Sequence, residues 1–470
     1  MSDILSRLRA IPGLAIVTDA DDMAPHLVDW RRRHSGAALA LVLPSDTAAV
    51  SAVLRACFET GTPVFPQGGN TSVCGGSVPD ESGAGIILNL ARMNAIRKID
   101  ADDDSIIVEA GCILQKVQEA AASADRLFPM SLGAEGSCQI GGNIATNAGG
   151  TGVLRYGNMR DLVLGLEVVL ADGTVWEGLR TLRKNNSGYD LRNLFAGSEG
   201  TLGVITAAAL RLFPRPPHTL TAMLAARGND AVLALARQLR SAFPGEVSAL
   251  EILSQSQMAI VLRHVPGAKL ALPEDADWYL LAEVSGSTAP EALEERLTDA
   301  LAPAFEAGAV LDAVLATSER QRGELWGLRH HVTEGNVKEG MGLTHDIAVP
   351  LAQIGPFIAA AGAWLARELP QAVPVVVGHL GDGNLHYIAM FSHADWAAVS
   401  DKPGLTAHLN HALYDIAAAM GGTFSAEHGV GSIHIADMAR YKPEAELRMM
   451  RAIRQLLDPK GLMNPGRVLP

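Results

Sequence analysis

The stretch Gly141-Gly142-Asn143-Ile144-Ala145-Thr146-Asn147-Ala148-Gly149-Gly150 decides how the first part of the chain is read. Glycine pairs at both ends let the backbone approach a ligand closely, and the short polar side chains between them add hydrogen-bonding groups. Two further clusters share this character: Pro66-Gln67-Gly68-Gly69-Asn70-Thr71-Ser72-Val73-Cys74-Gly75-Gly76 and Gly197-Ser198-Glu199-Gly200-Thr201-Leu202-Gly203. One such loop is as often an ordinary turn as a binding loop. Several in one domain point to a single long ligand touched at several places. None reads GxGxxG between a strand and a helix, so a nicotinamide-binding Rossmann unit is not indicated.

Around these loops strand-like and helix-like segments alternate. Residues 37–44 form an apolar run, Ser45 and Asp46 offer capping oxygens to a helix over 48–59, and Gly61 closes it. Short strands are expected at 62–66, 85–90 and 105–111, and Asp172-Gly173 marks a hairpin turn between 162–170 and 174–178. The run Phe213-Pro214-Arg215-Pro216-Pro217 suits neither a helix interior nor a central strand and reads as a boundary. Beyond it, helices near 230–242, 289–307, 318–336, 351–369 and 404–420 interleave with strands near 279–285, 309–316, 374–379 and 385–390, an α+β pattern. The expected domains are residues 1–217, residues 218–420 and a C-terminal segment, 421–470, with a helix over 444–457.

The 470-residue chain carries 38 Lys+Arg against 51 Asp+Glu, a net charge of −13 that argues against nucleic acid as a partner. Hydrophobic residues make up 48% and charged residues 19%, which excludes a disordered chain. The four cysteines (Cys57, Cys74, Cys112, Cys138) show no CxxC spacing and are too few for a disulfide framework, so a soluble, cytoplasmic protein is expected. The N-terminus lacks the basic-then-apolar order of a signal peptide. Residues 347–366 carry no charge, but Pro350, Gln353, Gly355 and Pro356 interrupt them, which favours a buried helix over a membrane span.

The ordered motifs PxGGNT, GGNxATNAGG and GSEGTLG followed by a strand resemble the flavin domain of the vanillyl-alcohol-oxidase-type flavoproteins. The run over residues 133–206 resembles the FAD-linked D-2-hydroxyacid dehydrogenases, above all those acting on D-2-hydroxyglutarate, and the likeness continues almost to the C-terminus. The resemblance implies a two-subdomain PCMH-type FAD-binding domain and an α+β substrate-binding domain with an antiparallel sheet. The C-terminal segment would then return to the FAD domain and complete the active site. It further implies FAD held by Pro66, Gly68, Gly69, Asn70, Thr71, Gly75, Gly133, Ser137, Gly141, Gly142, Asn147, Gly149, Gly150, Glu199, Gly200, Ile205 and Asn464. Covalently flavinylated relatives carry His where Asn70 stands, so noncovalent FAD is expected.

In Val375-Val376-Val377-Gly378-His379-Leu380-Gly381-Asp382-Gly383-Asn384-Leu385-His386-Tyr387-Ile388, Asp382-Gly383 reads as a two-residue hairpin turn. That register sets His379 opposite His386, where two imidazoles could share a metal; a one-residue slip would send them to opposite faces. Ser425-Ala426-Glu427-His428-Gly429-Val430-Gly431 offers a third ligand in Glu427, giving an open site for zinc or a similar divalent ion. The resemblance supports the same three ligands. It also matches His428 to a substrate-contacting histidine, our candidate for the base that takes the hydroxyl proton.

Arg329 and Thr333, four residues apart in the expected helix 318–336, share a face and match the family's substrate contacts, as does Asn384. Arginine suits a substrate carboxylate because its fork binds both oxygens. Where dehydrogenases of D-2-hydroxyglutarate carry Lys before an aromatic residue and Asp, this chain has Thr344-His345-Asp346. That loses one charge-assisted bond to a distal carboxylate, which His345 or Thr344 could replace in part. The implied reaction is oxidation of a D-2-hydroxy acid (D-2-hydroxyglutarate or D-malate, alternatively D-lactate or glycolate) to the keto acid. A flavin-binding subunit without chemistry and an NADPH-using reductase on the same fold are the other readings. Neither explains His379, His386 and Glu427 together. The expected acceptor is an electron-transfer flavoprotein, a quinone or a cytochrome, and a homodimer is the default oligomer.

Overall fold

The first long helix, Thr47–Thr60, starts at Asp46, whose Oδ1 accepts the Ala49 N–H at 2.8 Å, and ends at Gly61, which takes φ +69°. The computed structural model to which it belongs describes residues 2–470. Two units divide the chain. The first takes in residues up to Gly149 together with Gly157–Arg215 and Glu427–Pro470, and the second Gly150–Tyr156 and Pro216–Ala426. The short segment Gly150–Tyr156 joins the second unit, where Arg155 Nη1 donates to the Ser285 carbonyl at 2.5 Å.

In the first unit, strands β1 (Ala15–Val17), β2 (Ala40–Leu43), β3 (Val64–Gln67) and β4 (Ile86–Asn89) form a sheet ordered β1-β2-β4-β3. The β2–β4 and β3–β4 pairs are parallel, and β4 is buried on both faces, as parallel strands usually are. A second, antiparallel sheet runs β5-β6-β10-β8-β9, built from β5 (Ile96–Asp100), β6 (Ser105–Glu109), β8 (Val163–Val169), β9 (Val175–Gly178) and β10 (Val204–Arg211). Short strands β7 (Arg126–Leu127) and β11 (Phe213–Pro214) pair separately. The Asp172-Gly173 turn joins β8 to β9, with Val169 opposite Val175 and Gly173 at φ +88°.

The second unit is built on one seven-stranded antiparallel sheet, ordered β15-β12-β14-β13-β17-β18-β16. Its strands are β12 (His218–Ala226), β13 (Val247–Ser254), β14 (Trp278–Gly286), β15 (Val310–Leu315), β16 (Gly340–Ala348), β17 (Val373–His379) and β18 (Asn384–Ser392). Period-2 alternation sorts their side chains between two layers. One face sets Met223, Leu253, Tyr279, Leu281 and Val377 against Met258, Val261, Leu325, Leu328 and Val332 of the covering helices. On the other face Tyr387 meets Phe357 edge-on, and His345 packs against Tyr414.

The sequence reading anticipated neither β12, β13 nor β16. All eight residues of β13 are buried, so its pattern does not alternate. The helix expected over 318–336 is two helices, Glu319–His330 and Val332–Glu339, parted at His331. Among the described residues, no helix is long and apolar enough to cross a membrane. The uncharged run 347–366 instead enters a helix at Ile354–Glu368.

Candidate active site

The glycine clusters meet in the first unit. A Cβ on Gly69 would lie 2.0 Å from the Ser137 carbonyl oxygen, one on Gly141 2.7 Å from Ala110 Cβ, and one on Gly200 3.0 Å from Pro66. Side chains are excluded so that backbone can approach backbone. Asn70, Asn147, Glu199 and Asn464 take positive φ (54°, 49°, 49° and 42°), conformations that persist where surrounding bonds over-determine them. Asn70 Nδ2 donates to the Val28 carbonyl at 2.8 Å and its Oδ1 accepts from Ser77 at 2.8 Å. Asn147 Oδ1 accepts the Arg160 N–H at 2.9 Å. Asn464 Nδ2 donates to the carbonyls of Glu199 (2.7 Å) and Gly76 (3.0 Å), which ties the tail into the same cluster.

Gly68, Thr71, Gly75 and Gly149 belong to these loops, Pro66 lies in β3, Gly142 in a short helix, Ile140–Ala145, and Ile205 is buried at the start of β10. Gly133 and Ser137 are exposed, and Gly150 belongs to the second unit. The loops fit a long polar ligand. Gln139 Oε1, beside Gly68, and Asn464 Oδ1 are both buried and have no hydrogen-bond partner among the described residues. The Glu199 carboxylate is spoken for by protein. Its Oε1 accepts the Val430 N–H at 2.7 Å and its Oε2 the Gly431 N–H at 2.8 Å. Burial pushes this carboxyl above its ordinary value, with the two N–H donors opposing.

A polar row crosses one face of the sheet in the second unit. Glu251 on β13 lies opposite His379 on β17; Val377 lies opposite His386 on β18, and His386 opposite Asp346 on β16. Glu251, fully buried, accepts from Arg329 Nε through Oε2 and pairs with His379 Nδ1 through Oε1, both at 2.7 Å. Burial alone would raise the Glu251 pKa, but His379 and Arg329 together hold it below its ordinary value. The contact from Nδ1 to a buried carboxylate fixes the orientation of the His379 ring, as a carboxylate does for a metal-ligating imidazole. Arg329 is buried, and its two terminal nitrogens make no hydrogen bond to the described residues.

The hairpin differs from expectation. His379 pairs with Asn384, and His386 with Val377, a register shifted by two residues. The connection is the four-residue Leu380-Gly381-Asp382-Gly383, because the Leu380 N–H bonds the Leu250 carbonyl of β13 at 2.8 Å and leaves the β17–β18 ladder. An even shift preserves the face. The two imidazoles are diagonal neighbours with ring centroids 5.7 Å apart, edge to face.

Asp346 Oδ1 lies 3.7 Å from His386 Nδ1 and accepts from Asn384 Nδ2 at 2.8 Å. Its Oδ2 accepts the Ala426 N–H at 3.0 Å, one residue before Glu427 and His428. Glu427 and His428 head the last stretch of the first unit, with Glu427 Oε1 3.7 Å from His428 Nε2. His345 is not brought to this row. Odd spacing puts it on the opposite face, with Nε2 2.9 Å from Asn410 Oδ1 and Nδ1 3.2 Å from the Tyr387 carbonyl oxygen. Thr344 shares the Asp346 face and is exposed, as is Thr333 on the helix after the break.

Residues 38–178 match the family described as "FAD binding domain", and residues 215–468 that described as "FAD linked oxidases, C-terminal domain". The mitochondrial D-2-hydroxyglutarate dehydrogenase of Bos taurus is 39% identical over 100% of this chain and 83% of its own length. The D-2-hydroxyglutarate dehydrogenase of Xanthomonas citri pv. viticola is 36% identical over 99% of this chain and 96% of its own. The chain belongs to the FAD-dependent D-2-hydroxyacid dehydrogenases.

A crystal structure of p-cresol methylhydroxylase with substrate bound superposes on the dehydrogenase with a TM-score of 0.76 over 99% of this chain and 96% of that one, at 17% identity. The fold is therefore the PCMH-type flavin fold, in an α+β chain. One expectation is corrected. Relatives of cattle, rat and zebrafish are named mitochondrial, which overturns a cytoplasmic placement read from cysteines. A low cysteine count carries no address. Glu251 and Asp346 escaped the sequence reading. Their signal is an acid inside an apolar run, as in Val247-Ser248-Ala249-Leu250-Glu251-Ile252-Leu253.

Proposed function

We propose that the dehydrogenase oxidises D-2-hydroxyglutarate or D-malate to the corresponding 2-keto acid. FAD would be held noncovalently by the glycine loops of the first unit, and a divalent metal, zinc by its ligand set, by His379, His386 and Glu427. The observation that carries the reading is Arg329: Glu251 holds its Nε, while the terminal nitrogens have no partner among the described residues. A guanidinium so fixed is a preorganised fork for the carboxylate next to the hydroxyl carbon.

Bound FAD supplies a two-electron acceptor for hydride from C2, and a bound divalent ion supplies Lewis acidity that lowers the pKa of the hydroxyl. The protein's part is positioning and proton transfer. Glu251 keeps Arg329 and His379 in fixed orientations. His428 takes the hydroxyl proton on its imidazole, with Glu427 beside it to favour the cation that forms. Thr333 and Asn384 are proposed as further substrate contacts. Electrons would leave to an electron-transfer flavoprotein, a quinone or a cytochrome, and the chain would work as a homodimer.

One observation favours a smaller acid. Thr344, exposed on the Asp346 face, stands where a lysine would meet a distal carboxylate. The test is reduction of the bound flavin by D-2-hydroxyglutarate, D-malate, D-lactate, glycolate and the L-enantiomers, with and without a chelator. The dicarboxylates are expected to give the highest kcat/KM, and a clear preference for D-lactate overturns that choice. Arg329→Lys should raise KM for every substrate by about ten-fold or more, since the charge stays and the fork is lost. An unchanged KM removes Arg329 as the anchor.

A further inference from the structure

Glu199 lies in the third glycine cluster, yet both its carboxylate oxygens are turned to protein. Oε1 accepts the Val430 N–H at 2.7 Å and Oε2 the Gly431 N–H at 2.8 Å, which fixes the chain immediately after Glu427 and His428. The pocket around the carboxylate is made of glycines. A Cβ on Gly429 would lie 2.8 Å from Oε1, and one on Gly76 3.1 Å from Oε2. The Glu199 backbone is pinned from other sides. Its N–H bonds the Ala145 carbonyl at 2.7 Å, and its own carbonyl accepts from Asn464 Nδ2 at 2.7 Å. One residue, held at φ +49°, therefore joins Ala145 within the Gly141–Gly150 cluster, the C-terminal tail and the loop that carries Glu427 and His428.

We propose that Glu199 is a positioning residue for catalysis: it fixes the loop 427–431, so that Glu427 and His428 are presented in register with the flavin-binding loops. The inference rests on the roles proposed for Glu427 and His428 above. A carboxylate accepting two successive backbone N–H groups holds a short loop more firmly than neutral acceptors would, because charge-assisted bonds are roughly twice as strong. It also sets the direction in which the preceding side chains leave the backbone.

The test is Glu199→Gln, which keeps the size of the side chain and turns one acceptor oxygen into a donor facing an N–H. Amide exchange at Val430 and Gly431 should accelerate, bound metal should fall, and kcat should drop by about 10–100-fold with KM little changed. The ratio of flavin to protein should stay at the wild-type value. Gly429→Ala, which crowds the carboxylate without altering it, should reproduce the pattern, and it serves if Glu199→Gln does not fold. Wild-type exchange in both variants overturns the proposal, as does a wild-type kcat despite faster exchange. Flavin loss in Glu199→Gln overturns it too, by assigning the carboxylate to the cofactor. Exchange and metal content need no turnover. A wild-type chain that oxidises no 2-hydroxy acid would end the proposed function while those measurements still decide the role of Glu199.

Discussion

The two units present chemistry in opposite ways. The first offers backbone: glycines at positions 69, 141 and 200 sit where a Cβ would collide, and asparagines at 70, 147 and 464 hold turned conformations. The second offers side chains from separate strands, brought together by register: Glu251, His379, His386 and Asp346 on β13, β17, β18 and β16. A backbone site is specified by absence of bulk, and a sheet site by buried charge. They should therefore fail differently when mutated.

The largest effect is expected at Glu251. Glu251→Ala leaves Arg329 and His379 buried without their carboxylate, and breaking a buried pair this way costs about 3–5 kcal/mol. Thermal unfolding should show the loss, KM should rise, and flavin should remain bound. Flavin loss would erase the contrast between the units. The pH dependence has a definite sign. The folded-state pKa of Glu251 lies below its ordinary value of 4.5, so its contribution is present above that value and fades as pH falls through the folded one. The stability difference between wild type and Glu251→Gln should accordingly be largest near neutrality and shrink below pH 4.5.

Gly69→Ala is the matching break in the first unit. A methyl group 2.0 Å from the Ser137 carbonyl oxygen must push the two loops apart, an overpacking cost of about 1–3 kcal/mol. The expected readout is folded protein with a sharply lowered flavin-to-protein ratio and an unfolding transition lowered by the overpacking and by the lost ligand. A full complement of flavin in Gly69→Ala would mean that these loops do not cradle the cofactor.

The contrast also explains what was legible beforehand. The glycine clusters stood out in the sequence because each is contiguous and its glycines advertise a backbone function, and residues 38–178 match an FAD-binding family. The hairpin histidines could be read because a turn signal lies between them, and a register error of two residues left them on one face. Glu251 and Asp346 were missed together with the strands that carry them. β13 is buried on both faces, so it shows no alternation, and its single acid is explained only by Arg329 and His379, which come from far along the chain. His345 was read as a partial substitute for the missing lysine because it follows Thr344 in the Thr344-His345-Asp346 run. In a strand, adjacent residues face opposite ways, and it packs beneath Tyr414 instead.

The smallest expected effect bears on substrate choice. Thr344 shares the face of Asp346, two residues along β16 and opposite Ile388, and is exposed. Thr344→Lys adds an ammonium on that side of the sheet without disturbing a buried partner. A fully formed charge-assisted bond to a second carboxylate contributes about 1.5–3 kcal/mol, but an exposed ammonium is screened and keeps only part of it. The expected gain in kcat/KM for D-2-hydroxyglutarate over D-lactate is thus about ten-fold, carried mainly by KM. If the ratio does not move, the distal carboxylate lies elsewhere, and the row of buried charges, rather than this exposed position, sets which acid is accepted.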